Sequence, residues 1–196
     1  SVGTSSLRRR ALVIAVRPDL DLRDIRGNVD SRVRKVIDGE YGAAILALAG
    51  LRRAGLLESV GGGAPLPVDM VTPAPAQGAI CAQCRADDRE MLEALERLNH
   101  GPTMLEVAME RAFLRRMGGG CLVPIGACAR VRDGRYAIVA VVAAVDGTAL
   151  VRRSAQGDVR DEESAAAAAE RLADEMLDAG GRALVEKFRA ALARGL

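Results

Sequence analysis

The stretch LDLRDIRGNVDSRVRKVIDGEYGAAILALAGLRRAGL, residues 20–56, decides the fold class of the N-terminal part of the chain. Residues 20–25 alternate apolar with polar side chains and residues 42–46 are apolar, which predicts an alternating strand and then a buried one. Residues 28–37, which begin at an asparagine suited to cap a helix, and residues 49–56 predict helices. Strands that alternate with helices along the chain predict an α/β sheet.

Upstream of this stretch the chain is basic. Ser5 or Ser6 can cap a helix from Leu7 to Val16, although the apolar run 11–16 alone could equally form a strand. Residues 1–53 hold eleven Arg and Lys against six Asp and Glu, a balance of +5. This end is therefore a candidate anion site.

Downstream, the pattern changes near the middle of the chain. Residues 77–84 predict a further strand, and residues 88–98 predict a helix. A boundary is expected at residues 99–102. Thr103 with Glu106 matches a capping box and predicts the start of the next helix there.

The last third predicts a small α+β domain. Asp-Gly pairs between apolar runs are typical of hairpins. Residues 161–179 predict an alanine-rich helix that Gly180-Gly181 interrupts and that resumes over residues 182–193. The three predicted strands are Ala127–Arg132, Tyr136–Val145 and Thr148–Arg153, separated by Asp133-Gly134 and Asp146-Gly147.

The composition limits the classes of protein to which this chain can belong. Apolar residues make up 49% of the chain, enough for real cores. The sequence has no run of about 20 uncharged apolar residues, so no membrane span is expected. Four cysteines without an export signal favour a reducing cytoplasm, which is the expected location.

A Gly-Gly-Gly-Cys-Leu-Val-Pro run occupies Gly118 to Pro124. The three glycines just before Cys121 have no side chains, so a large group could approach the sulfur closely. Taken alone, this segment has an alternative interpretation: the glycines end a helix, and Cys121 is buried and inert.

Four blocks of the sequence, in order, resemble the porphobilinogen deaminases, also called hydroxymethylbilane synthases, of tetrapyrrole biosynthesis. They cover nearly the whole chain, and the block around Cys121 is highly specific. The blocks are Val2 to Arg9; Asp24 to Arg32 with Ile45 to Arg53; Pro73 to Ala79 with Leu98-Asn99-His100; and Glu110 to Gly126.

The resemblance implies three parts. Residues 1–76 would form part of a second, periplasmic-binding-protein-like α/β domain that binds carboxylates. Residues 77–98 would return to the family's first domain, and residues 99–196 would form a C-terminal α+β domain with a three-stranded antiparallel sheet and the cofactor cysteine. The family's first domain precedes the Gly-Thr-Ser-Ser block, where this sequence begins. We therefore expect a fragment or one part of a split protein, which has that domain as its partner and self-associates without it.

The resemblance also implies an enzyme. The family's transferases condense four porphobilinogen molecules head to tail into hydroxymethylbilane and release ammonia. The oligopyrrole grows on a dipyrromethane cofactor that a thioether links to the cysteine matched by Cys121. The family's catalytic aspartate belongs to the first domain, so we expect no catalytic residue here and no activity from this chain alone.

The motif match assigns further residues to binding. Each pyrrole carries an acetate and a propionate, and arginine grips a carboxylate with two parallel hydrogen bonds. Backbone N–H groups at a helix N-terminus also attract anions. The match implies cofactor contacts from Thr4, Ser5, Ser6, Arg8 and Arg9, and substrate contacts from Arg26, Arg32 and Arg53.

Metal binding is an alternative use of the cysteines. Cys81 and Cys84 form a C-x-x-C motif that Cys121 and Cys128 could complete, although the second pair has the wrong spacing for a zinc ribbon. On the strand predicted there, Cys81 and Cys84 point to opposite faces, so we expect no metal. His100 could be catalytic, but a lone histidine at a domain junction is more typical of a helix end or hinge.

Two functions outside enzyme catalysis stay open. One is a carboxylate-binding module without chemistry; it needs no thiol, so Cys121 discriminates against it. The other is an arginine-rich nucleic-acid-binding domain, which two Phe, two Tyr and no Trp support poorly, because little is left to stack on bases. We expect pyrroles as ligands, and neither nucleic acid nor a membrane as partner.

Overall fold

The computed structural model describes residues 1–61, 63–118, 120 and 122–194. In the N-terminal part, three parallel strands form one sheet in the order β2-β1-β3. The strands are β1 (Val2–Gly3), β2 (Leu22–Arg23) and β3 (Ala43–Ala44). The α/β sheet predicted from residues 20–56 is confirmed. The expected burial of its last strand is wrong, because β3 is exposed or half-buried.

Each strand is followed by a helix: α1 (Leu7–Val16), α2 (Val29–Ile37) and α3 (Leu48–Arg53). The first two begin as predicted, at Ser6 and Asn28, whose side-chain oxygens each accept a hydrogen bond from the backbone N–H three residues on. These caps satisfy N–H groups that have no partner inside the helix. Because the strands are parallel, the three helices all start on the side of the sheet where the carboxyl ends of the strands lie.

Residues 54–100 hold little regular structure. They contain a 3₁₀ turn, Glu58–Val60, and the helix α4 (Arg89–Glu96), which Asp88 caps. The strand predicted for residues 77–84 is wrong: the segment is irregular, and Ile80 is 80% exposed. Strand N–H and C=O groups need a neighbouring strand, and the described chain places none beside this segment.

The C-terminal part is an antiparallel sheet, β4-β5-β6, packed against helices. This confirms the predicted α+β domain. The strands are β4 (Ile125–Arg132), β5 (Arg135–Ala143) and β6 (Leu150–Asp158). The helices are α5 (Gly101–Arg116), α6 (Glu162–Met176) and α7 (Arg182–Ala193), with a π turn, Leu177–Gly181, between the last two.

Local chemistry explains several boundaries of this domain. Asp133 and Gly134 both have positive φ, 50° and 72°, as a two-residue hairpin turn of the I′ type requires. Strand β6 continues to Asp158, five residues further than predicted. Helix α5 starts earlier than predicted, because the side chain of His100 rather than that of Thr103 caps it.

One hydrophobic core holds the C-terminal domain together. Phe113 and Met109 of α5, Leu172 and Met176 of α6, and Ile138 of β5 are each no more than 2% exposed. This core fixes α5 over β4, which matters for the site described below. None of the helices in the described ranges combines the length and the apolar character needed to cross a membrane.

A smaller apolar cluster joins the two parts of the chain. Ala11 and Leu12 of α1 pack with Val141 and Ala143 of β5. The helix that carries the basic N-terminal motif is therefore seated against the C-terminal sheet.

Candidate anion-binding site

The turn between β1 and α1 is built by the three hydroxyl residues of the Thr-Ser-Ser motif. Thr4 is buried. Ser5 Oγ donates to the carbonyl of Ile25 at 2.7 Å and accepts from the N–H of the same residue at 3.1 Å. Ser6 caps α1. These side chains serve the turn itself, and they place the start of α1 at the end of the sheet.

Arg8 is the most deeply buried cation in the described chain, with 7% of its surface exposed. Its guanidinium donates to the carbonyl of Thr72 and to Gln77 Oε1, the latter at 3.5 Å. Burial, and secondly the charge of Arg9, lower the pKa of Arg8 to about 10. Arg8 is still charged at neutral pH, in a place where the charge is poorly solvated.

Arg9 and Arg32 extend this positive cluster. Arg9 Nη1 donates to the carbonyl of Ile45 at 2.9 Å, and Arg32 Nε donates to the carbonyl of Gly27 at 2.7 Å. Burial, and secondly repulsion from Arg32, lower the pKa of Arg9. The structure therefore brings Arg8, Arg9 and Arg32 into one electrostatically coupled group.

The other two arginines of the motif lie at the rim. Arg26 is exposed just beyond β2, and the exposed Arg53, at the end of α3, donates to the carbonyl of Gly78 at 2.6 Å. Across the described residues, the ion pairs within 4.0 Å involve other cations, such as Arg10 with Asp24. The five motif arginines are thus held by carbonyl or amide oxygens, or are exposed, and have no carboxylate partner there.

A cleft of about 520 Å³ lies next to this cluster, between α3, residues 76–79 and α5. Its wall carries the cations Arg52, Arg53 and Arg130 beside the carboxylates of Glu106 and Glu110. The cleft lies between the two parts of the chain.

Glu106 and Glu110, one turn apart on α5, close the outer edge of β4. Glu110 Oε1 accepts from the N–H of Ala129 at 2.7 Å, and Glu106 Oε1 accepts from the N–H of Val131 at 3.0 Å. Glu110 is 6% exposed, and burial raises its pKa, against the opposing effect of its backbone hydrogen bonds. Two carboxylates thus satisfy strand N–H groups that would otherwise lack partners.

Two sequence models of one enzyme family match this chain. The first, described as "Porphobilinogen deaminase, dipyromethane cofactor binding domain", matches residues 1–93. The second, "Porphobilinogen deaminase, C-terminal domain", matches residues 104–178. This chain belongs to the porphobilinogen deaminase family. The cofactor-domain match contains all five motif arginines, and the C-terminal match contains both α5 carboxylates.

Relatives named porphobilinogen deaminase are similar over nearly the whole chain. The protein of Desulforudis audaxviator is 47% identical over 189 residues, which are 96% of this chain and 60% of the relative. Those of Roseiflexus and Pelobacter propionicus are each 45% identical, over 94% and 95% of this chain and 59% and 58% of the relatives. The chain therefore spans about 60% of the length of these curated porphobilinogen deaminases.

The cysteines of this family member differ in accessibility. Cys121 lies outside the described residues; its neighbours Leu122 and Val123 are 54% and 7% exposed. Cys81 is exposed, and Cys128 is buried, with a pKa that burial raises. Within the described ranges, no three or more His, Cys, Asp and Glu side chains gather as a metal would require.

His100 and the C-x-x-C motif can now be placed. His100 Nδ1 lies 2.9 Å from Thr103 Oγ1 at the start of α5, so its visible role is that of a helix cap. Because residues 77–84 are not a strand, the opposite-faces argument against chelation by Cys81 and Cys84 no longer applies.

Reasoning from the sequence missed Glu110, Glu106 and the Thr72 carbonyl as parts of this region. A signal for the carboxylates was present: they stand four residues apart on α5, and Glu110 lies between the apolar Met109 and Phe113. A buried carboxylate needs donors, so the apolar neighbours of Glu110 could have predicted a hydrogen-bonded partner for it. A backbone carbonyl carries no such signal.

Proposed function

We propose that this chain carries the cofactor-binding and cofactor-attaching parts of a porphobilinogen deaminase. Such a transferase condenses four porphobilinogen molecules into hydroxymethylbilane and releases ammonia. The observation that supports this most is the group of Arg8, Arg9 and Arg32, which has no carboxylate counterpart among the described residues. A buried guanidinium without a counterion is costly, and a ligand rich in carboxylates would remove that cost.

The dipyrromethane cofactor fits this site chemically. Its acetate and propionate groups would meet Arg8, Arg9 and the start of α1 beyond Thr4, Ser5 and Ser6. When bound, the cofactor supplies the primer on which pyrroles are added. Arg26, Arg32 and Arg53, nearer the surface, would hold the acid groups of the incoming and growing pyrroles.

Cys121 is assigned the covalent attachment. As a thiolate it would attack the methylene carbon of a pyrrole whose C–N bond has broken. The protonated amine would leave as neutral ammonia, taking the electron pair of the broken C–N bond. The thiol would give its proton to a base, and the thiolate electron pair would form the C–S bond. The thioether is stable, so the thiol acts once in the life of the protein.

The arrangement of domains follows from the same proposal. Residues 1–76 would form part of a periplasmic-binding-protein-like domain, residues 77–98 would pack against another part of the full-length enzyme, and residues 99–196 would carry the attachment cysteine. Turnover would also use residues from the part of the relatives that lies outside the match, among them a general acid. We therefore expect residues 1–196 alone to be inactive.

Mass measurement of the purified chain tests the attachment. The chain is co-produced with the remaining part of a family member, weighed intact, and treated with acidic dimethylaminobenzaldehyde. We expect a mass increase equal to two pyrrole units and a coloured product, both lost in Cys121→Ala and both retained in the matched control Cys128→Ala. An adduct that survives Cys121→Ala would refute the assignment.

A carboxylate-binding module without chemistry is the second candidate. The arginines without a carboxylate partner favour this module as much as they favour the enzyme, because they would bind carboxylates in both. Only the enzyme also uses the Cys121 thiol. If the chain binds porphobilinogen equally well with and without Cys121, and no adduct forms in any preparation, the module is the better description.

A further inference from the structure

Glu110 reaches from α5 to two separate pieces of backbone. One carboxylate oxygen accepts from the N–H of Ala129 in β4, at 2.7 Å. The other accepts from the N–H of Ala76, in the irregular segment that precedes the cleft. A single buried carboxylate therefore ties residues 72–77 to the C-terminal domain.

Strand β4 holds the same segment from a second side. The N–H of Ala127 donates to the carbonyl of Pro73 at 3.0 Å. Gly126 lies so close that a Cβ atom placed there would be 2.7 Å from the carbonyl oxygen of Thr72. The segment is thus fixed in position by β4 and Glu110 together.

The same segment accepts hydrogen bonds from the Arg8 guanidinium. Its two contacts, the Thr72 carbonyl and the Gln77 side chain, stand at the two ends of residues 72–77. The position of the Arg8 side chain therefore depends on where this segment is held.

We propose that Glu110 is a positioning residue for Arg8, acting through residues 72–77. This inference rests on the proposed function in one respect, that Arg8 grips a carboxylate of the cofactor or substrate. It adds that the C-terminal domain, through Glu110, sets the geometry of the anion site on α1. The shape of the site then depends on contact between the part of the chain that binds anions and the part that carries Cys121.

The chemistry of the contact requires a carboxylate. Both oxygens of an ionised glutamate are acceptors, and both are used. In Glu110→Gln, one of the two positions becomes an NH₂ group that faces an N–H, so either the β4 contact or the segment contact is lost. Glu106 offers a matched control, because it accepts from the N–H of Val131 on the same strand edge and has no hydrogen bond to residues 72–77.

The test measures the environment of the Arg8 guanidinium directly. The Nε–H resonance of Arg8, assigned by its loss in Arg8→Lys, is followed by NMR. Binding of porphobilinogen, which carries the same acetate and propionate groups as each cofactor ring, is measured by calorimetry. Glu110→Gln should shift and broaden the resonance and weaken binding about tenfold, the loss expected for a charged hydrogen bond that is misplaced. Glu106→Gln should leave the resonance in place and binding within about twofold, even if both variants lower the melting temperature equally.

Other outcomes separate the two proposals. If the parent chain does not bind porphobilinogen, the proposed ligand is wrong, while the Arg8 resonance still reports positioning. An unmoved resonance in Glu110→Gln, or equal shifts in both glutamine variants, would overturn the positioning role. If Glu110→Gln does not fold, Gly126→Ala displaces the same segment from the β4 side, and an unmoved Arg8 resonance there would overturn it as well.

Discussion

Replacing Gly126 with alanine should loosen the contact between β4 and the segment that holds Arg8. The added Cβ atom would lie 2.7 Å from the carbonyl oxygen of Thr72 and 3.0 Å from that of Pro73. A carbon atom and a carbonyl oxygen in ordinary contact are about 3.3–3.6 Å apart, so the segment must retreat by about 0.5 Å or more. The obstacle is backbone on both sides, which cannot rotate out of the way as a flexible side chain can.

The expected cost follows from overpacking. Inserting a methyl group where the backbone must shift costs about 2 kcal/mol, which lowers the melting temperature of a chain this long by about 4–8 °C. Loss of the hydrogen bond to Pro73 should also speed amide exchange at Ala127. Gly101→Ala is the matched control, because a Cβ atom there meets no atom within 4 Å. It should change stability by less than about 0.5 kcal/mol.

Differential scanning calorimetry and hydrogen exchange check this prediction together. If Gly126→Ala melts within about 1 °C of the parent and Ala127 exchanges no faster, the close approach does not constrain the segment, and the reasoning fails.

Three further predictions concern other sites. Burial raises the pKa of Glu110 in the folded chain, where the charged neighbours of this carboxyl group are Glu106 and Arg130. Between the ordinary glutamate pKa and the raised one, the native state therefore holds more protons than the unfolded state. The free energy of unfolding should therefore fall as pH rises through that window, and urea denaturation at several pH values should show a flatter profile in Glu110→Gln. Timed alkylation followed by mass spectrometry should label Cys81 before Cys128, since burial both hides the second thiol and raises its pKa; the reverse order would contradict the structure. Phe113→Ala should cost about 3–5 kcal/mol by chemical denaturation, and a cost below about 1 kcal/mol would show that the core has collapsed around the gap.

The parts of the fold predictable from the sequence are those set by local chemistry. Asn28 caps α2 because its side-chain oxygen reaches the N–H of Ser31, three residues on, and asparagine is among the residues preferred at a helix start. Asp133-Gly134 forms the hairpin turn because these two residues tolerate positive φ. Each such prediction needs only a few neighbouring residues.

The parts that could not be predicted depend on distant neighbours. Glu106 matches a capping box with Thr103, yet in the fold its carboxylate serves the N–H of Val131, 25 residues away. The sequence of residues 77–84 predicts a strand, but a strand forms only beside a partner. At the candidate site, the arginines are visible in the sequence, whereas the Thr72 carbonyl that orients Arg8 has no sequence signal.

The closed edge of β4 limits how the C-terminal sheet can grow. Three of its outward N–H groups are taken, at Ala127 by a carbonyl and at Ala129 and Val131 by carboxylates. Within the described ranges β6 pairs only with β5, so its far side is the open one. A chain that joins this sheet, in an assembly or in an aggregate, must add along β6, where the adjacent Arg152 and Arg153 repel a second copy of the same strand.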